Sequence, residues 1–301
     1  FDSRGNPTVE AEIFLDDGSS ASAISPSGAS TGAFEAHELR DKEQNKFLGK
    51  SVYTAVQNIN SKISNKLKKL DFNQQEKIDK ILIELDGTEN KTSLGANATL
   101  AISLAYAKCT AIANKQSLYK SLGKSYSLPI PLMNIINGGA HADNDLNIQE
   151  FMIRPDSAKN FTDAIEKCFL VINNLKKLLQ SKKMLTNVGD EGGFAPSINS
   201  NEEALDLIVQ SIENSKLKPG NDIVICLDVA ANELMNEKGE YSVQSSNFLP
   251  VDDVVSYYKK LTSKYPIKSI EDPFAEEDWQ SWKKITTAIG NNVQIVGDDL
   301  F

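Results

Sequence analysis

Apolar and polar residues alternate with a period of two through TVEAEIFL (8–15), break at Asp17-Gly18 and resume in SASAIS (20–25), which predicts a β-hairpin. A Ser- and Gly-rich loop follows, SPSGASTGAFEA (25–36), and His37 with Glu35 and Glu38 is expected on a surface helix. From Lys50 to Leu70 the period changes. Val52, Val56, Ile59, Ile63, Leu67 and Leu70 recur at helical intervals, and Ile78, Ile81, Leu82 and Leu85 continue in a second helix, with Asn73 and Glu76 placed as a capping box at its start. The small residues from Asn97 to Ala113 predict a helix packed closely on its neighbours. SLPIPLMN, with Pro129 and Pro131, then interrupts the helical pattern and marks a domain boundary.

Beyond that boundary strand-like and helical patterns alternate. NFTDAIEKCFLVINNLKKLLQ (160–180) is amphipathic, Ser200 and Glu203 form a capping box before Leu205, Ile208 and Ile212, and Val254, Val255, Tyr258 and Leu261 make a further stripe. Three short apolar runs in this half end in carboxylates: IVICLD on Asp228, IKSIED on Glu271 and Asp272, and VQIVGDD on Asp298 and Asp299. Each reads as a buried parallel strand, and the spacing between the lead acids suits one strand, one helix and two loops. Such folds keep their chemistry at the C-terminal ends of their strands. The expected architecture is α/β: an α+β domain of β-meander and helices over residues 1–127, then a partial TIM-like α/β barrel over 132–301.

The bulk composition narrows the function. With 40% hydrophobic and 24% charged residues in 301, the chain has the make-up of an ordinary globular protein. Its net charge of −9 argues against nucleic acid as a ligand. The lysines between 62 and 69 alternate with apolar residues and read as a solvated helix face. Cys109, Cys168 and Cys226 are odd in number and set among apolar residues, so they read as buried, reduced thiols of a cytosolic protein. No apolar run approaches the length of a membrane span.

Three strand-end acids on one rim, with no His or Cys among them, suit a hard dication, and Mg²⁺ over zinc. Two further motifs carry candidate chemistry. GDEGG sets Asp190 and Glu191 between glycines, which lets backbone approach a ligand closely. NGGAHADNDLNIQEF places His141 after a double glycine and ahead of Gln149 and Glu150. The SGASTG loop (27–32) offers hydroxyls and amides to a phosphate or a metal, without the ending of a Walker motif.

FDSRGNPTVE, SGASTG, LDGTENK, NIINGGAHA, QEFMI, GDEGG, SIEDP and GDDL, in this order and across essentially the whole chain, resemble the enolase family. The resemblance implies a glycolytic lyase that interconverts 2-phosphoglycerate and phosphoenolpyruvate with two Mg²⁺ ions per site. By motif, Asp228, Glu271 and Asp298 match ligands of the tightly held ion and Ser30 a ligand of the second. Glu191 matches the acid that protonates the departing 3-hydroxyl, with Glu150 as its partner, and Gln149 and His141 match substrate contacts. The resemblance also implies a homodimer in the cytoplasm, with a possible cell-surface or secreted pool. Two alternatives stay open: an acid-sugar dehydratase of the wider superfamily, and a non-catalytic surface or scaffold protein of the same fold.

The chain begins without Met and ends after GDDLF, so it reads as truncated at both ends. The resemblance places a Lys base, a second active-site Lys and a phosphate-gripping His-Arg-Ser loop beyond Phe301. The 301-residue segment is on that ground expected not to turn over substrate.

Overall fold

A computed structural model describes residues 1–28, 31–68, 74–244 and 246–301, the side chain of Asp190 excepted. It divides into two compact units, one of Phe1–Gly28 with Phe34–Ser127 and one of Ala29–Ala33 with Leu128–Phe301.

In the first unit β1 (Val9–Phe14) and β2 (Ser20–Ser25) pair antiparallel from Val9↔Ser25 to Phe14↔Ser20. Gly18 makes the turn possible with a φ of +85°. Among the described residues the expected meander is represented by these two strands. Helix α1 (Tyr53–Asn58) runs through a π-helical turn, Ile59–Ile63, into α2 (Ser64–Leu67), and α3 (Gln75–Asp86) follows. Asn73, placed in a capping box, lies outside the described residues, and α3 starts after Gln74 without a side-chain cap. Helix α4 (Ala96–Ala113) lays Ala98, Ala101 and Ala105, all fully buried, against the hairpin. Small side chains allow that close approach, and α5 (Leu118–Leu122) ends the unit.

The surface helix expected around His37 does not form. His37 donates its backbone N–H to the Asn90 carbonyl (2.7 Å) and accepts from Ala96 N–H (2.8 Å), while the buried Asn97 side chain grips both the N–H and the C=O of Leu39. Backbone groups satisfied by these distant partners leave residues 36–40 outside any helix or strand, which local pattern cannot disclose.

The second unit is built on one five-stranded sheet in the order β3 (Met133–Asn137), β4 (Glu150–Arg154), β5 (Val224–Asp228), β6 (Ile267–Glu271) and β7 (Gln294–Val296). β3–β4 and β4–β5 are antiparallel, while β5–β6 and β6–β7 are parallel as the sequence predicts. Helices α6 (Phe161–Ser181), α7 (Asn201–Asn214), α8 (Val251–Lys264) and α9 (Trp279–Ile289) form the connections, and their apolar faces share a core with Phe151, Ile153, Ile225, Leu227 and Ile270 of the strands. Ser200 caps α7 by accepting from Glu203 N–H (3.1 Å), as the capping box predicts. The opposite sheet face carries a separate apolar patch of Met152, Val224 and Cys226. With both faces covered, β5 reads as an unbroken apolar run. All three cysteines are free and buried. Among the described residues no helix is long and apolar enough to cross a membrane.

Candidate active site and metal centre

Strand register assembles the site. Glu150 pairs with Asp228, and Asp228 pairs with Glu271, so three carboxylates lie side by side across β4, β5 and β6. Side chains two residues apart share a sheet face. The row therefore stands directly above Met152, Cys226 and Ser269, which are buried to 6%, 0% and 2% exposure. An apolar floor below and like charges to each side penalise ionisation. Burial first, then Glu271 and Glu150, pushes Asp228 up to about 8. Burial, then Glu191 and Glu271, takes Glu150 to about 7. Burial, then Asp272, Asp298 and Asp299, takes Glu271 to about 7.

Two clusters extend the row. At one end His141, Glu150 and Glu191 bring ligand atoms within 4.8 Å of one another. His141 is buried, with Nδ1 at 3.2 Å from Glu150 Oε1, a contact that lacks hydrogen-bond alignment. It reaches this place because Gly138 and Gly139 turn the chain sharply after β3. A Cβ on Gly138 would sit 2.5 Å from the Ile148 carbonyl oxygen, and Gly139 has a φ of +49°. Glu191 comes from GDEGG, a short loop whose Val188 and Phe194 bridge one another while Phe194 also bridges to Ile136 of β3. Glu191 itself holds a left-handed φ of +59°, an uncommon conformation for a non-glycine residue.

At the other end Asp228, Glu271 and Asp272 form the second cluster. Asp298, predicted as the third ligand, is not in this set. It lies two residues past the end of β7 and is one of the charges that raise Glu271. Asp272 is already engaged, since its two oxygens accept the backbone N–H groups of Asp298 (3.1 Å) and Asp299 (3.0 Å). Its role escaped the sequence reading because strict alternation turns the residue after Glu271 to the other face, whereas a φ of +40° brings it back. Gln149 donates Nε2 to Asp228 Oδ2 (3.1 Å), and its buried Oε1 has no hydrogen-bond partner among the described residues. Ser30 and the Asp190 side chain lie outside the described residues.

The donor set passes the test for a hard cation. Oxygen atoms alone make up the Asp228 cluster, and their mutual repulsion in a half-buried row is what a dication would relieve.

Gly189 shows how tightly the GDEGG loop is seated. A Cβ there would lie 2.4 Å from the His141 carbonyl oxygen and 2.7 Å from Asn137 Nδ2. Gly189→Ala is expected to lower stability by about 1–3 kcal/mol and to reduce kcat by displacing Glu191 from His141. Urea unfolding and steady-state rates check it, and a variant with wild-type values in both refutes the seating argument.

A row of half-buried carboxylates at one end of an α/β sheet, with ligand atoms close enough to hold a divalent metal, has the make-up of a metal-assisted enzyme's site. Residues 1–122 match the family described as "Enolase, N-terminal domain", and residues 125–301 match "Enolase, C-terminal TIM barrel domain". The enolase of Pelagibacter ubique (strain HTCC1062) is 59% identical over 303 residues, an alignment covering 100% of this chain and 72% of that protein. The chain belongs to the enolase family, the phosphopyruvate hydratases of glycolysis.

Proposed function

We propose that this enolase holds Mg²⁺ through Asp228, Glu271 and Asp298, with Ser30 serving a second ion, and converts 2-phosphoglycerate to phosphoenolpyruvate and water with Glu191 and Glu150 as the acid pair. The observation that carries the proposal is the in-register row Glu150, Asp228 and Glu271 above an apolar floor. Asp272, although near the cradle, has both oxygens committed to amides, which favours Asp298 as the third ligand. When bound, the dications supply stabilisation of the negative charge that grows on the substrate carboxylate as its α-proton leaves.

The chain's own residues do the rest. Glu150 retains a proton near neutral pH because it is buried beside Glu191 and Glu271. Glu191, the more exposed residue, has a carboxylate oxygen within 4.8 Å of Glu150 and lies where it can relay that proton to the departing 3-hydroxyl. His141 braces Glu150 from the other side. The open acceptor on Gln149 suits a substrate hydroxyl.

Formation of phosphoenolpyruvate from 2-phosphoglycerate by the intact enzyme, dependent on Mg²⁺, is the expected result. Dehydration of non-phosphorylated sugar acids in its place would favour the acid-sugar dehydratase, and no turnover of either would favour a scaffold. The family likeness also supports a cytoplasmic homodimer, with a cell-surface pool as a secondary location. Light scattering and cell fractionation test these two points.

A further inference from the structure

The loops that follow β5, β6 and β7 converge on one short segment. Ala33 donates its backbone N–H to both carboxylate oxygens of Glu276, at 3.1 and 3.0 Å. Asn232, after β5, accepts from the Glu276 backbone N–H through Oδ1 (2.9 Å) and donates through Nδ2 to Asp299 Oδ2 (2.9 Å). One network thus joins all three strand-end loops to residues 32–33.

Glu276 stands on a stiff mount. Phe274 and Ala275 before it are buried. Ala275 donates its N–H to the Tyr241 hydroxyl (3.2 Å) and accepts from Trp282 Nε1 (3.0 Å), while Tyr241 donates to Asp278 Oδ2 (2.9 Å). Gly32 fits against the same residues. A Cβ on it would lie 2.9 Å from Glu276 Oε2 and 3.0 Å from the Asp299 carbonyl oxygen. Neither the acid pair nor the metal cradle uses Glu276, which leaves its placement unexplained by the reaction.

We propose that Glu276, braced by Asn232, is a positioning residue that latches Gly32 and Ala33, at the end of the SGASTG segment, to the rim formed by the β5, β6 and β7 loops. An amide bonded to a carboxylate is roughly twice as strongly held as one bonded to a neutral acceptor. Gly32 lets the backbone come close enough for that bond to form. The latch itself rests on this geometry alone, while its effect on catalysis rests on the enolase reading. Holding the segment in place lowers the entropy lost when substrate is enclosed, so its removal acts on substrate capture more than on the chemical step.

The test reads the latch and the catalysis separately in the intact enzyme. In Glu276→Ala the Ala33 amide is expected to exchange with deuterium about tenfold faster, and in Glu276→Gln by an intermediate factor, because one oxygen remains. Gly32→Ala, which opens the same contact from the other side, reproduces the effect. Glu277→Ala, one position along, leaves exchange unchanged. Chymotrypsin cleavage after the exposed Phe34 rises in parallel, with the thermal midpoint held. KM for 2-phosphoglycerate rises about tenfold while kcat changes by less than about threefold. Unchanged exchange at Ala33 in both Glu276→Ala and Gly32→Ala overturns the latch, whatever the activity. Faster exchange with an unchanged KM overturns its positioning role. Lack of turnover by the unsubstituted enzyme would instead overturn the enolase reading, and the exchange result would stand.

Discussion

Asp228→Asn is expected to abolish turnover and at the same time to stabilise the metal-free protein. The two effects share a cause. Asp228 is held at about 8 by burial and by Glu271 and Glu150, so above neutral pH the fold carries a charge it has not neutralised. Asn removes the charge and keeps the shape. Its Oδ1 can still accept from Ala230 N–H, and a turn of the Gln149 amide brings the unpartnered Oε1 onto the new NH₂ group. The gain at pH 7 is roughly 1–4 kcal/mol, since a one-unit shift is worth about 1.4 kcal/mol and the row shares its protons. Metal binding moves the other way. Losing a residue behind a ligand costs about 10–100-fold in affinity, so losing the ligand itself costs at least about a hundredfold, and kcat falls by about three orders of magnitude.

The sign of the pH dependence follows from the same shift. Asp228 ionises near 3.8 when unfolded and near 8 when folded, so between those values the folded state binds more protons. Stability of the metal-free enzyme is fully present below about pH 4 as far as this group is concerned, and it falls as pH rises to about 8. In Asp228→Asn that slope flattens. Thermal midpoints across this range, with EDTA and with Mg²⁺, provide the check. A variant less stable than wild type in EDTA at every pH, or one that Mg²⁺ still stabilises to the wild-type extent, refutes the argument.

Two of the strand-end carboxylates that the structure brings together, Asp228 and Glu271, were legible in the sequence because their physics is local. A β-branched run closing on a carboxylate announces both the strand and the acid at its end, and three of them in succession announce a shared rim. Glu150 could be named by motif, but its place in line with Asp228 needed the antiparallel β4–β5 pairing, which period-two patterning does not distinguish from a parallel one. Asp272 was hidden by a single backbone angle. The non-helical course of residues 36–40 and the Ala33–Glu276 contact were hidden for another reason, because their hydrogen bonds join positions far apart in the chain. Local pattern reports burial and turn chemistry well. It does not report which distant carbonyl or carboxylate will satisfy a particular amide.

Glu191→Gln is expected to lower kcat about a thousandfold with little change in KM, and Glu150→Gln to do nearly the same. General acid catalysis by a positioned carboxyl contributes about 10²–10⁴-fold, and Gln keeps the shape of the side chain while holding no transferable proton. What marks the two as one device is their combination. If a single proton is shared between Glu150 and Glu191, removing either carboxyl empties the pair, so the double variant should be no worse than the more damaged single one. Independent roles would instead multiply the losses to about a millionfold. Glu150→Gln carries a second signature. Glu150 is among the charges that raise Asp228, so its removal lets Asp228 ionise more readily and tightens Mg²⁺ binding above about pH 7, where Glu150 would itself be ionised, even as turnover collapses. Glu191→Gln acts on Glu150 in the same sense, since burial and then the Glu191 charge raise it, and shifts the alkaline limb of the remaining rate profile to lower pH. Calorimetric titration of Mg²⁺ near pH 8, with rates of both single variants and the double variant, decides the matter. Multiplicative losses, or Mg²⁺ affinity unchanged in Glu150→Gln, would separate Glu150 from both the proton relay and the carboxylate row.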